Sequence, residues 1–475
     1  MKHAIVRLTG LLIVLMLVLS GCNLIGVDEL KQLDQDFAAL KKQYAGVVAS
    51  YEGGEITQED AMLAFNSQYS YMSQMYSMYG ISMPADAITD VEQDVVENAV
   101  QNVAIAQQIE SRGLKLDDDK QAEVEAEAEE HYQEAYEAVS GNVTSKNEEV
   151  KAKQIEYNMY TMGYTKEALL KMELATANYE LIEQAVRDEV TEVSEEDLTA
   201  AYDEQVKSDE ETYADSPASF ESAMSSDDDV VTWMPEGYRT VKHILVKPED
   251  DVLTAVNDAR SAVTSAETSL ENLRSELDAL NDDDAEDTED AEDAEPTEAP
   301  RTAEEIQADI DEAEKNLEGL KADAEKAEAD CLASVQDKLD EIYEKINDGE
   351  DFGALIEEYG EDPGMQNEPT KTRGYYVSSA STTWDQHFTD GAMALENVGD
   401  VSEKPVISSS GVHIIRYESD VTPGAVALED IHDALYDQTL EEKKSEHFDS
   451  ELDAWVEALK PVYTIENFKL QTSEN

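Results

Sequence analysis

Lys242-His243-Ile244-Leu245-Val246 and Gly411-Val412-His413-Ile414-Ile415 each set a single histidine in an otherwise apolar run. Short apolar runs rich in β-branched residues and bounded by turn residues read as strands. If these two strands are neighbours in one sheet, both imidazoles meet inside one domain. Taken alone, each histidine reads as a satisfied core residue, so the residues between them decide whether it is more.

Much of that separation is an insertion. From Val252 onward, Val256, Ala259, Val263, Ala266, Leu270, Leu273, Leu277 and Leu280 follow at steps of three and four, and a second seam of equal length runs from Ala303 through Ile306, Ile310 and Leu317 to Cys331. Two such heptad seams predict an antiparallel coiled-coil hairpin roughly 40 Å long at about 1.5 Å per residue. The tip between them, residues 281–300, is almost wholly Asp, Glu, Ala, Thr and Pro, has nothing to bury, and is expected to be disordered. Weak cation binding is the alternative for the tip, without the spaced glycine and ligands of a calcium loop. Cys331 occupies a seam position and reads as a small core residue.

Past the hairpin, residues 335–346 read as a helix closed by Asn347-Asp348-Gly349, and Asp351-Phe352-Gly353-Ala354-Leu355-Ile356 opens the next. Then come Tyr359-Gly360-Glu361-Asp362-Pro363-Gly364, a turn at Gly374, Trp384 and Phe388 four apart, Gly399-Asp400-Val401-Ser402 and Pro405-Val406. This ordered set, over residues 238–417 apart from the insertion, resembles the parvulin family of peptidyl-prolyl isomerases. The resemblance implies a four-stranded sheet wrapped by helices. The wider domain order resembles the PrsA-type foldase lipoproteins, related to SurA-type periplasmic chaperones, in which a parvulin domain interrupts a helical chaperone domain.

The resemblance also assigns roles. His243 and His413 correspond to the family's paired core histidines, Asp362 to the position beside the substrate carbonyl, and Ser410 to a hydroxyl near the second histidine. Tyr376, Trp384 and Phe388 fall in the region that forms the proline pocket. These residue types suit the task, because an X-Pro bond rotates over a barrier of about 18–20 kcal/mol without any bond being broken. No nucleophile, metal or cofactor is then required; an apolar pocket and a preorganised hydrogen-bond network suffice. The sequence departs from the family in three places. Lys371-Thr372-Arg373-Gly374-Tyr375-Tyr376-Val377 stands where a glycine-rich segment is usual, Trp384 where methionine is usual, and the coiled coil enters directly after the first strand. Simpler readings stand beside these roles: a histidine pair that only rigidifies the sheet, and an aspartate that only caps a turn before Pro363. His131, His387, His432 and His447 are scattered without ligand spacing, so no metal site is expected.

The chain as a whole sets the setting for that domain. It has 475 residues, 110 Asp and Glu against 34 Lys and Arg, and a net charge of −76, which argues against nucleic acid or anionic lipid as a partner. Lys2 and Arg7 precede an apolar stretch, residues 8–19, that is short for a spanning helix and ends in Ser20-Gly21-Cys22. This reads as a secretory signal with a lipobox, giving a lipid on Cys22 and an anchor on the extracytoplasmic face of the cell membrane. Cys22 and Cys331 are the two cysteines, so a lipidated Cys22 leaves no intramolecular disulfide.

The N-terminal half reads as helices: 27–49, one capped by Thr57 after a short strand and turn, 91–114 closed by Gly113, 117–140, 147–160, 165–191 and one capped by Ser194. The Tyr- and Met-rich residues 69–83 are either a helix core face or an adaptable surface for unfolded chains. A polar segment, residues 216–229, is expected to separate this half from the parvulin region. Residues 429–459 are expected to be helical and to pack back on the N-terminal helices through Ile431, Leu435, Phe448, Leu452, Trp455 and Leu459.

The expected architecture is α+β: a signal peptide at 1–21, a mostly helical chaperone domain at 22–235, a parvulin domain at 236–418 carrying the coiled-coil insertion at 250–333, and a C-terminal helix within 419–475. The function implied is a foldase that isomerises X-Pro bonds of unfolded secreted polypeptides. Two alternatives stay open, a chaperone or scaffold that only binds such segments, and an arm that serves as a docking rod. If the arm is an accessory, deleting residues 252–331 leaves isomerase activity intact. Pairing of two copies through their helical halves also stays open.

Overall fold

A computed structural model describes residues 27–226, 229–282 and 301–468. The signal segment, Cys22 and tip residues 283–300 lie outside the described residues. The chain divides into two compact units, Met1–Val193 with Thr439–Asn475, and Ser194–Gln438.

The first unit begins with α1 (Val27–Tyr44), the hairpin β1 (Val47–Tyr51) and β2 (Gly54–Thr57), and the helices α2 (Gln58–Met78), α3 (Ala85–Arg112), α4 (Asp118–Asn142), α5 (Glu148–Thr161) and α6 (Lys166–Arg187). The helices start where cap residues stand. Thr57 forms a capping box with Asp60, and Asp117, Asn147 and Thr165 each accept a backbone N–H of their own first turn. The helix expected to reach residue 49 instead stops at Tyr44, because Gly46 breaks it and the β-branched pair Val47-Val48 starts the strand. Leu40, Val48, Phe65, Val96 and Ile182 are buried together with Phe448, Leu452, Trp455 and Leu459 from the C-terminal part of the chain. Of the Tyr- and Met-rich stretch, Tyr69 and Met72 lean on this core, whereas Tyr71, Met78, Tyr79 and Ile81 are exposed.

The second unit contains α7 (Glu195–Asp215), α8 (Pro217–Ser225), β3 (Trp233–Met234), β4 (Arg239–Val246), α9 (Asp250–Asp282), α10 (Ala303–Asn347), α11 (Phe352–Tyr359), α12 (Thr370–Arg373), β5 (Tyr375–Val377), α13 (Gln386–Met393), β6 (Val406–Ser408), β7 (Gly411–Asp420) and β8 (Gly424–Ala425). The last helix, α14 (Leu428–Ala458), starts in this unit, and from Thr439 it belongs to the first, where β9 (Val462–Tyr463) pairs with β1. The expected polar spacer at 216–229 includes a helix, since Ser216 caps α8, Pro217 fits its first turn, and Phe220 is fully buried against Tyr213, Tyr238 and Tyr376.

A four-stranded antiparallel sheet in the order β5-β4-β7-β6 forms the centre of this unit. The two histidine strings are the central pair, β4 and β7. Alternation along these strands sends Ile244, Val246, Val412 and Ile414 to one face, where Leu339, Ile342, Leu355 and Ile356 of α10 and α11 cover them. Val241 and Ile415 point to the other face, under Phe388 and Ala392 of α13.

The insertion is an antiparallel helix pair. Its seam buries Leu270 against Ile306 and Ile310, and Arg260–Glu328, Glu267–Lys321 and Arg274–Glu314 pair at 2.7 Å, one pair every seven residues along both helices. At about 1.5 Å per residue, the 33 residues of α9 span about 50 Å. The helix expected separately at 335–346 is the end of α10, 45 residues in one piece, because the seam runs on through Leu339 and Ile342 with neither glycine nor proline after Gly319. The arm's root is equally continuous with the domain: Val252, Val256, Ala327 and Cys331 pack in the cluster that holds Ile244, Val246 and Val412. A cut at 252–331 would therefore remove part of the sheet's own cover. Among the described residues, no helix is long and apolar enough to cross a membrane.

Candidate active site

His243 lies opposite Ile415 and His413 opposite Leu245, so the two histidines are diagonal neighbours on one face of the sheet. Their Nδ1 atoms are 2.8 Å apart and both rings are buried. His243 Nε2 lies 2.8 Å from Asp362 Oδ2, and His413 Nε2 lies 2.6 Å from the hydroxyl of Ser408. Asp362 also accepts the Tyr375 hydroxyl on Oδ2 at 2.9 Å and the Gly364 amide on Oδ1 at 3.0 Å. A side chain at Gly364 would strike the Tyr375 hydroxyl, and one at Gly374, where φ is +86°, would strike the Val241 carbonyl, so both glycines let β5 bring Tyr375 to the carboxylate.

Burial and the neighbouring His243 push His413 down to about 3, leaving it neutral near pH 7. Burial alone would raise Asp362, but the hydrogen bond from His243, the Gly364 amide and the Tyr375 hydroxyl together hold it at about 2. Burial and the Asp362 charge push Tyr375 above the usual phenol range. With Asp362 an obligate acceptor, the hydrogen-bond network assigns the tautomers. His243 donates from Nε2 and accepts at Nδ1; His413 donates from Nδ1 and accepts the Ser408 hydroxyl at Nε2. The Ser408 oxygen in turn accepts the Ser410 amide at 3.0 Å, so every donor in the row points toward Asp362.

Aromatic rings close the site. Phe388 stands edge-on to both imidazoles, at 5.2 Å from His243 and 5.1 Å from His413. Trp384 lies 4.5 Å from Tyr375 and 6.2 Å from Phe388, and its indole N–H donates to the Tyr376 carbonyl at 2.8 Å. Asp385 caps α13 and accepts the Ser409 amide at 2.9 Å, tying that helix to the turn between β6 and β7.

The structure thus brings together His243, His413, Asp362, Trp384 and Phe388. It does not bring Ser410 or Tyr376 to the same place. Ser410 is exposed on the turn and contributes only its amide; the hydroxyl on His413 belongs to Ser408. The Tyr376 ring points to the opposite side of β5, against Phe220 and Tyr238, and Tyr375 is the tyrosine of the site. The signal that finds Tyr375 is the pairing of Tyr375 with Val241, which shares the histidine face.

Comparison with known proteins bears on this geometry. Residues 320–419 match the rotamase family model, described as the PPIC-type PPIASE domain. The second unit carries a PPIC-type rotamase domain. The match opens inside α10, within the second helix of the arm, so β4 with His243 lies outside the matched residues. Foldase protein PrsA 4 of Bacillus cereus is 39% identical over 105 residues, and foldase protein PrsA of Oceanobacillus iheyensis is 36% identical over 85. These alignments take in 22% and 18% of this chain and span 35% and 26% of the relatives' own lengths. Among solved structures, a peptidylprolyl isomerase (PrsA) from Bacillus anthracis aligns at 14% identity over 79% of this chain and 99% of its own, with a TM-score of 0.17. The foldase PrsA of Streptococcus pneumoniae aligns at 16% identity over 90% and 96%, with a TM-score of 0.20.

Proposed function

We propose that this chain is an exported foldase, held by a lipid on Cys22 at the extracytoplasmic face of the cell membrane, whose rotamase domain isomerises X-Pro bonds in unfolded secreted polypeptides. The observation that carries the reading is the row Ser408–His413–His243–Asp362 set beside Tyr375, Trp384 and Phe388. The aromatic rings offer an apolar seat for the proline ring. Planar X-Pro amides are stabilised by a resonance form with negative charge on the carbonyl oxygen, and twisting the bond removes that charge. An ionised Asp362 beside the carbonyl disfavours the planar form more than the twisted one, and so lowers the barrier. The histidines hold the carboxylate in place and charged; they do not attack the substrate. The Ser20-Gly21-Cys22 motif supports the anchor.

The test is the rate of cis/trans exchange of a proline peptide, with wild-type protein, Asp362→Ala and His243→Ala. Wild type is expected to accelerate exchange and both variants to lose most of that acceleration. A wild-type rate equal to the uncatalysed one refutes the enzyme reading.

A second reading, chaperoning without catalysis, is favoured by the first unit, where Tyr71, Met78, Tyr79 and Ile81 expose apolar and adaptable surface. Suppressed aggregation of an unfolded client by a protein that does not accelerate exchange supports it.

A further inference from the structure

The root of the arm touches the site's hydrogen-bond row, and neither the domain resemblance nor the proposed chemistry uses it. Arg260 of α9 donates from Nη1 to the Ile407 carbonyl at 3.0 Å, and its Nε and Nη2 hold Glu328 of α10 at 2.8 and 2.7 Å. One turn earlier, Asn257 donates its amide to the Ser409 carbonyl at 3.2 Å. The two carbonyls flanking Ser408 are thus both gripped by the arm, while Asp385 of α13 grips the Ser409 amide from the other side. Between those contacts Ser408 makes its 2.6 Å bond to His413. The same part of α9 faces Asp385, His387 and Ser409 across an open groove of about 690 Å³.

We propose that Asn257 and Arg260 are positioning residues of the rotamase site, acting through Ser408 on His413, so that the inserted arm is part of the machinery. This rests on the isomerase reading. The physical reason is the shortness of β6 and its turn: three strand residues and a Gly411 with φ of +142° leave the turn few restraints of its own. The guanidinium is fixed before it reaches the turn, because Glu328 takes its other edge.

The experiment uses the full chain. Arg260→Ala and Asn257→Ala are read by kcat and KM on a proline peptide and by the ring nitrogen signals of His413 in histidine-labelled protein. Loss of one hydrogen bond from a charged donor predicts a fall in kcat of about tenfold for Arg260→Ala, with KM nearly unchanged and a shifted His413 Nε2 signal. Asn257→Ala is expected to fall less. In a Ser408→Ala background, Arg260→Ala should cost nothing further. Arg274→Ala, which breaks an ion pair farther out on the arm, should leave both readouts unchanged. If Arg260→Ala fails to fold, Glu328→Ala, which frees the guanidinium without removing it, carries the same expectation at smaller size. Unchanged kcat and ring signals, a rise in KM alone, or additivity with Ser408→Ala overturns the proposal. Should wild type itself show no catalysis, the isomerase reading fails, and the His413 signal still decides whether the arm braces the turn.

Discussion

Replacing Asp362 with asparagine keeps the side chain's shape and removes the charge on which the row of hydrogen bonds ends. If the amide oxygen keeps the Gly364 N–H, the amide NH₂ falls where Oδ2 was, facing His243 Nε2 and the Tyr375 hydroxyl, both of which donate in the native protein. Relief comes by reversing the row: His243 accepts at Nε2 and donates from Nδ1, His413 accepts at Nδ1 and donates from Nε2 to Ser408. The carboxyl's fall from 3.8 when free to about 2 in the fold corresponds to about 2 kcal/mol of stability in the wild type. Because the folded value is the lower one, this stability is present above pH 4 and lost as pH falls toward 2. His413, held at about 3 against 6.5 when free, adds a further loss between those values, but it does so in both proteins. The gap between Asp362→Asn and wild type is therefore expected to be about 2 kcal/mol at pH 7 and to close on acidification. Urea unfolding of the two proteins from pH 7 to the lowest pH at which both fold measures the gap, and ring nitrogen spectra read the tautomers. A gap that does not change with pH, or unchanged tautomers, refutes the reasoning.

Ser408→Ala should leave His413 Nε2 without its hydroxyl and slow exchange by about tenfold or more, at least as much as Arg260→Ala, whereas Ser410→Ala should leave the rate unchanged; equal effects in a peptide-exchange assay would contradict the assignment of the hydroxyl. Tyr375→Phe removes one of the bonds that keep Asp362 low, so the acid limb of the pH–rate profile should move to higher pH, while Tyr376→Phe should not move it. Tyr376→Ala should instead cost about 3–5 kcal/mol in denaturant melts through lost packing on Phe220 and Tyr238. Deleting residues 252–331 should destabilise the second unit by uncovering Ile244, Val246 and Val412, whereas trimming the arm from 264 to 324, beyond the Arg260–Glu328 pair, should leave its unfolding midpoint close to wild type.

The parts of the site legible in the sequence are those with long-range pattern behind them. His243 and His413 stand out because strand alternation and burial leave little else for a polar ring in an apolar run, and the pairing of β4 with β7 puts them together. Asp362, Trp384 and Phe388 are assigned by the resemblance to the parvulin family, which the Asp-Pro-Gly turn and the one-turn spacing of the two rings help carry. The misplacements are short-range and share a cause. β5 and β6 are three residues each, too short for alternation to fix which side chain faces the core, so the Tyr376 and Ser410 that the resemblance implies stand one and two positions from Tyr375 and Ser408. The helix α8 is masked in sequence by its serines, since its only buried apolar residues are Phe220 and Met224, beside a buried Glu221. The sequence closes the hairpin seam at Cys331 and opens a separate helix at 335, whereas Leu339 and Ile342 carry the buried face of one continuous α10.

The ion pairs at 260/328, 267/321 and 274/314 make the arm a ruler graduated in heptads. Seven residues added to one helix alone would set like charges opposite one another, Glu267 against Glu314 or Lys321 against Arg274; seven added to both restore the match. Viable arms in chains of this kind should then differ in length by about 10 Å at a time, by paired insertions of equal size on either side of the tip. Whatever the arm reaches, its distance from Ser408 is set in steps, and point substitutions do not adjust it.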